Sequence, residues 1–374
     1  MANVRKKILL VGGGSGGHAG PIRAIFDKLK AAAFDSIIVV GSGTPEEKPF
    51  FGNLKEYRVI EAGKMHRYLT LKNVQEGALF LVGFSKAVRL LLAEKPTIIF
   101  SKGGFASLPM ILAARLLKIP FWQHESDIEM GQTNRMMAKY AKKVFVAYPE
   151  KYYPFISKNK IDWSGPILRG GYEKKLKADP AIFGFAGDKP VILLTGGSQG
   201  SLHLSQKFIE ALPELLKEYD IIHQAGKHSI EMALEYRNSL SASAKKGYFV
   251  TEFLGKAGDC DMMLSAIDTA DLVVARAGST IIELAIKGKP MILVPWKHSA
   301  QDHQNKNAQF FAEHQAAQVI LDDELSRENI VYAIKACFAE DGKRLTDLAA
   351  HAAGLFPDDG AQKIAKLLLA EISK

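Results

Sequence analysis

The sequence predicts an α/β chain built from two Rossmann-like doubly wound domains facing a cleft. Two observations carry this. Short β-branched runs alternate with amphipathic helical runs, as parallel sheets with crossover helices require. The unit of strand, glycine-rich turn and helix also occurs twice, at similar places in the two halves of a 374-residue chain. That length usually exceeds a single core.

Lys7 to Val11 reads as the first strand, and Ile22, Ile25, Phe26 and Leu29 then recur at helical spacing. Ser36 to Val40, Thr97 to Phe100, Pro120 to Trp122 and Lys143 to Ala147 continue the strand series. The pattern restarts after Pro190 with Val191 to Leu194, a turn at Gly196 to Gly200, and a helix bearing Leu204, Phe208, Leu212 and Leu215. Ile221 to Gln224, Asp271 to Ala275 and Met291 to Val294 are the later strands. Gly and Pro punctuate Gly165-Pro166 and Arg169-Gly170-Gly171, which marks a boundary there. The expected division is 1–165, 166–345, and a helical segment at 346–374. Periodicity does not decide which domain that segment packs on; a return to the first is one arrangement.

Hydrophobic residues make up 47% and charged residues 24%, an ordinary globular balance. Two cysteines, Cys260 and Cys337, build neither a disulfide framework nor a zinc site. No run reaches the roughly 18 apolar residues of a membrane span. The short Ile8 to Val11 run enters a glycine loop and reads as a strand, not a signal-peptide core. The net charge of +9 suits an anionic partner, or is only a solvated basic surface.

The first turn, Gly12-Gly13-Gly14-Ser15-Gly16-Gly17-His18, lets backbone amides approach an anion at a helix N-terminus. Gly12, Gly14 and Gly17 fit the dinucleotide fingerprint. Strand two, however, ends Val39-Val40-Gly41-Ser42 without the acid that holds a ribose, so a nicotinamide oxidoreductase fails there. His18 at the first helical turn is a general base or orienting group for a hydroxyl, kept neutral by the helix N-terminus, or else a capping histidine. Gly103-Gly104-Phe105-Ala106-Ser107 and His124-Glu125-Ser126-Asp127 follow strands on the same rim. Adjacent residues on an extended stretch point to opposite sides, so His124 and Glu125 suit a polyhydroxyl or phosphate better than a metal.

In the second half, Arg276 follows a strand and suits a diphosphate. Glu283 suits two ribose hydroxyls, while Thr280-Ile281-Ile282-Glu283 is equally a capping box. Asp302 to Asn307 is an amide-rich loop suited to sugar hydroxyls, or a plain solvent-facing one.

Gly13 to His18 with Pro21, Gly103-Gly104-Phe105 with Ser107, and His124-Glu125 through Gly131 and Asn134 occur in that order. Gly196 to Gly200, Arg276-Ala277-Gly278 with Glu283, and His303-Gln304 with Asn307-Ala308 follow. The ordered set, covering most of the chain, resembles the MurG family, the UDP-N-acetylglucosamine transferases of peptidoglycan synthesis.

The resemblance implies the GT-B glycosyltransferase architecture, with the acceptor on the first domain and the UDP-sugar on the second. It implies inverting transfer of N-acetylglucosamine to the 4-hydroxyl of the undecaprenyl-diphosphate-linked acceptor lipid I. The product is lipid II, for cell-wall biogenesis and with it cell shape and division. By resemblance, His18 serves the acceptor hydroxyl, and Gly14, Ser15, Gly16, Gly17, Phe105, Glu125, Asp127 and Asn134 hold the acceptor. The donor would meet Ser15, Gly16, Gly17 and Arg169 near the hinge, Ser198 and Gln199 in the second loop, and Leu254 at the uracil. Arg276, Ser279, Thr280 and Glu283 would take the diphosphate and ribose, and His303 and Gln304 the sugar. No cofactor and no metal are implied. Three departures stand out: Gly165-Pro166-Ile167-Leu168-Arg169 where the family often has Gly-Asn-Pro-Val-Arg, one residue fewer between Arg276 and Glu283, and Asp127 for an asparagine.

The implied location is peripheral, on the cytoplasmic face of the bacterial inner membrane, against an anionic membrane surface. Leu79 to Val82 and Phe84 lie beside Lys86 and Arg89, with Lys64, Arg67 and Lys72 upstream, which suits an interfacial helix or a buried core helix. A glycolipid glycosyltransferase or nucleotide-sugar epimerase shares the pattern. A nucleic-acid partner is not expected, since no basic helix or interleaved aromatics accompany the charge.

Overall fold

The computed structural model describes residues 6–60, 71–104, 106–172, 177–197, 199–257 and 260–374, and of residues 71–76, 256, 257 and 260 the backbone alone. The chain forms two compact units, Met1–Gly170 with Pro357–Lys374, and Gly171–Phe356.

The first unit runs β1 (Ile8–Gly13), α1 (Gly16–Ala31), β2 (Ile37–Gly41), α2 (Lys48–Phe51), β3 (Tyr57–Val59), α3 (Leu71–Glu94), β4 (Ile98–Gly104), α4 (Ser107–Leu116), β5 (Phe121–Glu125), α5 (Gln132–Ala138), β6 (Lys143–Val146) and β7 (Ile161–Trp163). Its strands form one parallel sheet ordered β3-β2-β1-β4-β5-β6-β7. The order reverses between β1 and β4, the switch point at which such sheets open a ligand crevice. β1 is buried at every position, because helices cover both faces and leave no strand side for water.

The second unit runs β8 (Val191–Thr195), α6 (Leu202–Leu215), β9 (Asp220–Gln224), α7 (Ile230–Ser239), α8 (Ala242–Lys246), β10 (Tyr248–Thr251), the pair β11 (Lys256–Ala257) and β12 (Cys260–Asp261), α9 (Met262–Thr269), β13 (Leu272–Ala275), α10 (Thr280–Ile286), β14 (Met291–Leu293), α11 (His303–Glu313), β15 (Gln318–Val319) and α12 (Arg327–Ala352). Its parallel sheet is ordered β10-β9-β8-β13-β14-β15, with the reversal between β8 and β13. Leu204, Phe208, Leu212 and Leu215 are all buried on α6, and Ser201 caps that helix by accepting from the Leu204 amide.

The chain then returns to the first unit with α13 (Gly360–Ser373), whose Ile364, Ala365, Leu368 and Ile372 share a core with Ile22, Ile25, Phe26 and Leu29 of α1. Each buried Ile, Leu or Phe among them contributes ~1.5–3 kcal/mol by leaving water. The unit boundaries fall at Gly170/Gly171 and Phe356/Pro357, later than the expected 165/166 and 345/346. α12 reaches Ala352 with Leu348 in the second core, and Phe356 stacks near Phe310 and Phe311.

The strands read from the sequence are the inner ones. The four edge strands, β3, β7, β10 and β15, are additional.

Candidate active site

In the first unit the glycine loop joins β1 to α1 at the switch point. Ser15 is the N-cap residue of α1 in extended conformation, and Gly16 and Gly17 open the helix, where amides lack an intrahelical carbonyl. Gly14 has φ +93°, a conformation glycine takes without strain. Its amide is already engaged: it donates to the Glu47 carboxylate, which also accepts from the Ser42 and Gly43 amides and the Ser42 and Tyr57 hydroxyls. Burial raises the Glu47 pKa, but these hydrogen bonds outweigh it and hold the group below its ordinary value. Glu47 therefore fixes the loop from beneath, a role the sequence reading did not assign.

His18 is half-buried, and its Nδ1 lies 2.8 Å from Ser15 Oγ. With Nδ1 engaged there, Nε2 is the nitrogen left for a substrate hydroxyl. The imidazole is neutral, its pKa lowered to about 3, first by desolvation and then by the nearby Lys102 ammonium, against an opposing pull from Glu47. The neutral state matches expectation; desolvation and Lys102, not the helix N-terminus, are its causes.

A second glycine turn ends β4 directly against the first. Gly104 has φ +87°, and a Cβ there would collide with the Gly13 carbonyl, so the two loops touch backbone to backbone. Phe105 lies outside the described residues. Ser107 Oγ donates to Gly103 O at 2.7 Å.

From β5, Glu125 is 4% exposed. One carboxylate oxygen accepts from the Ser126 and Asp127 amides, the other from the Gly131 amide and Asn134 Nδ2 at 3.0 Å. Desolvation raises its pKa, with Lys102 opposing. Glu125 and Asn134 thus organise the 126–134 loop, with Asp127 half-buried within it. His124 points to the other face, donating from Nε2 to Gly165 O at 3.0 Å. Arg169 is half-buried, its guanidinium 5.8 Å from the Phe50 ring and its stem beside Gly20 of α1.

In the second unit the candidate donor residues gather at the carboxyl ends of β8, β10, β13 and β14. Ser198 lies outside the described residues, and Gln199 beside it is exposed. Leu254 is buried, its amide donating to Gln224 Oε1 at 3.1 Å. Gln224 Nε2 in turn donates to Thr195 Oγ1 and Gly197 O. This buried amide, missed in the sequence, ties the second glycine loop to the Leu254 stretch.

Arg276 is 6% exposed. Nε and Nη2 donate to Ser201 Oγ, and Nη1 to Val294 O and to Asp322 Oδ1 at 2.7 Å. Four of its five N–H groups are thus used within the protein. Ser279 is the N-cap residue of α10 and makes no side-chain cap bond. Glu283 Oε2 instead accepts from the Tyr172 hydroxyl at 2.7 Å, so the capping box is not the arrangement formed. Glu283 and Thr280 are half-buried and Ser279 exposed. Gln304 Oε1 accepts from the Trp296 amide at 2.9 Å, and His303 Nδ1 lies 2.7 Å from Ala300 O.

Comparison with known proteins gives two family models. The glycosyltransferase family 28 N-terminal domain matches residues 8–146, and its C-terminal domain matches residues 191–366. The chain is 34% identical over 333 residues to a Clostridium kluyveri protein named UDP-N-acetylglucosamine–N-acetylmuramyl-(pentapeptide) pyrophosphoryl-undecaprenol N-acetylglucosamine transferase, covering 88% of this chain and 90% of that protein. A Geobacillus thermodenitrificans protein of the same name is 34% identical over 340 residues, with the same coverage of each. Among solved structures, Acinetobacter baumannii MurG superposes with TM-score 0.71 at 24% identity, over 98% of this chain and 99% of that one. A Neisseria meningitidis UDP-GlcNAc 2-epimerase bound to UDP-GlcNAc gives TM-score 0.66 at 13% identity, over 97% and 100%. At these identities the two structures speak for the shared GT-B fold.

Proposed function

The chain belongs to the MurG family within glycosyltransferase family 28, and from that membership we propose that it transfers N-acetylglucosamine from UDP-GlcNAc to the 4-hydroxyl of lipid I, giving lipid II for peptidoglycan synthesis. The observation that carries the reading is kinship at 34% identity over 88% of the chain together with a neutral histidine at the head of α1.

The transfer is a single inverting displacement. The acceptor oxygen forms a bond to the anomeric carbon as the bond from that carbon to UDP breaks, and the hydroxyl proton passes to His18 Nε2. A pKa near 3 makes His18 a weak base alone, but a substrate diphosphate beside it would raise that value by charge. Gly16 and Gly17, with the loop held by Glu125 and Asn134, would receive the acceptor, Asp127 lying within that loop. On the second unit Gln199, Leu254, Ser279, Thr280, Glu283, His303 and Gln304 would hold the donor. Arg276 would act mainly by holding Ser201 and the second glycine loop in place, with one N–H left for the diphosphate. Arg169 would contribute near the donor. No cofactor or metal enters this scheme.

The membrane surface is the remaining partner, at the cytoplasmic face of the inner membrane. No helix of the described residues is long and apolar enough to cross a membrane. α3 leaves Leu79, Leu81, Val82 and Leu92 exposed alongside Lys86 and Arg89, while burying Gly83, Ala87 and Leu91. Such a face suits an anionic interface. Lys64 and Arg67 lie outside the described residues, as does the side chain of Lys72.

Incubation with UDP-GlcNAc and a lipid I analogue, followed by mass spectrometry, should yield the disaccharide lipid and free UDP. Conversion of UDP-GlcNAc to its 2-epimer without transfer would overturn the reading.

A further inference from the structure

Among the described residues three cationic side chains are buried: Lys102, Arg276 and Lys287. Two are matched. Arg276 lies 2.7 Å from Asp322 and Lys287 lies 2.8 Å from Asp268. Lys102, 3% exposed on β4, has no such partner. Its nearest acidic influences, Glu125 and then Asp127, act through space, and both Glu125 oxygens are already engaged by N–H donors. A buried charge with no ion pair is costly, and desolvation lowers the Lys102 pKa below its ordinary value, so an anion placed beside it would restore the charge.

Its place in the fold says which. The Lys102 stem packs under Gly12 at the switch point, where a Cβ on Gly12 would come 3.0 Å from Lys102 Cβ. The ammonium influences both His18 and His124, and His124 Nδ1 is a buried atom without a hydrogen-bond partner. The unmatched cation and the neutral His18 imidazole thus lie together at the switch point beside the first glycine loop. We propose that Lys102 is a binding residue for the acceptor, its ammonium meeting the diphosphate of the lipid-linked sugar below Gly16 and Gly17. The inference rests on the transferase reading and adds to it a residue outside the glycine motifs. Both substrates carry a diphosphate. The acceptor's is the one assigned, because Lys102 and His18 lie in the same unit, beneath the same loop.

The test compares wild type with Lys102→Met, which keeps the stem and removes the charge, and Lys102→Arg, which keeps the charge. Initial rates are measured against varied lipid I analogue and against varied UDP-GlcNAc. Lys102→Met should raise the acceptor KM about tenfold, as loss of a charge-assisted contact does, and leave the donor KM within about twofold. Lys102→Arg should recover most of the loss. The melting temperature of Lys102→Met should hold or rise, since a buried unpaired charge is replaced by an apolar side chain. An unchanged acceptor KM, or equal rises in both KM values, overturns the proposal. If wild type transfers no sugar, the transferase reading fails separately. Titration of farnesyl diphosphate into wild type and Lys102→Met then decides the lysine, with equal affinity overturning it.

Discussion

At the residue scale, His18 and Arg276 divide two kinds of work. His18 has one ring nitrogen fixed by Ser15, and the other has no hydrogen-bond partner among the described residues. His18→Ala should lower kcat by about 10² or more, within the range for losing a general base, with the dissociation constant for UDP-GlcNAc unchanged. Equal turnover in variant and wild type would remove the base role. Arg276 is committed to structure. Arg276→Ala leaves Asp322, 8% exposed, without its cation, and should destabilise the protein by about 3–5 kcal/mol. The double variant Arg276→Ala with Asp322→Ala should recover much of that loss. Denaturant titration checks both, and a single variant as stable as wild type would show the pair to be incidental. The residues that sequence reasoning missed lie outside recognisable motifs. Glu47 sits in Thr44-Pro45-Glu46-Glu47, which reads as a turn, and Gln224 ends an apolar strand. Lys102 did leave a signal: a lysine closing Ile98-Ile99-Phe100-Ser101, just ahead of two glycines, in a chain position where lysine is rarely buried unpaired.

At the element scale, inner strands were legible and edge strands were not. β1, β4 and β8 are buried strands that open on apolar runs, Ile8 to Val11, Ile98 to Phe100 and Val191 to Leu194. β3, β7, β10 and β15 have two to four residues each and half-exposed positions, so neither a run nor an alternation marks them. The contact between Gly13 and Gly104 was likewise invisible, since it arises from a register shift between β1 and β4. α3 poses the functional question at this scale. Replacing Leu81, 66% exposed, and Val82, 46% exposed, by Glu should abolish co-sedimentation with anionic vesicles while leaving the melting temperature within a degree or two. Wild-type binding should weaken between low and moderate salt. Retention of the double variant on vesicles would assign α3 to some other contact.

At the scale of the whole molecule, three neutral imidazoles make acid the chief solvent threat. His18 and His223 have pKa values lowered to about 3, and His124 lies well below its ordinary 6.5, all chiefly through desolvation. The unfolded chain takes these protons near pH 6.5 and the folded chain does not. Stability is therefore full above pH 6.5 and falls as pH drops toward 3, by up to about 1.4 kcal/mol per pH unit for each group. Glu125 and Asp220, whose values are raised by burial, oppose this just above their ordinary range. His223 is bonded only to Ser205 and Tyr248 inside the second core, so His223→Gln should flatten the pH dependence of melting between pH 6.5 and 5 without touching the site. An identical slope in the variant would place the acid sensitivity elsewhere.

The first unit is made of two stretches with the second unit between them, and its α1 face is completed by α13. On the ribosome that order becomes time. The 186 residues of Gly171–Phe356 take roughly 10–40 s to synthesise at about 5–20 residues per second. During that interval the nascent first sheet is whole, yet Ile22, Ile25, Phe26 and Leu29 still lack the α13 side chains that share their core. The half made first is thus the half finished last, and it is there that a growing chain has most need of a chaperone.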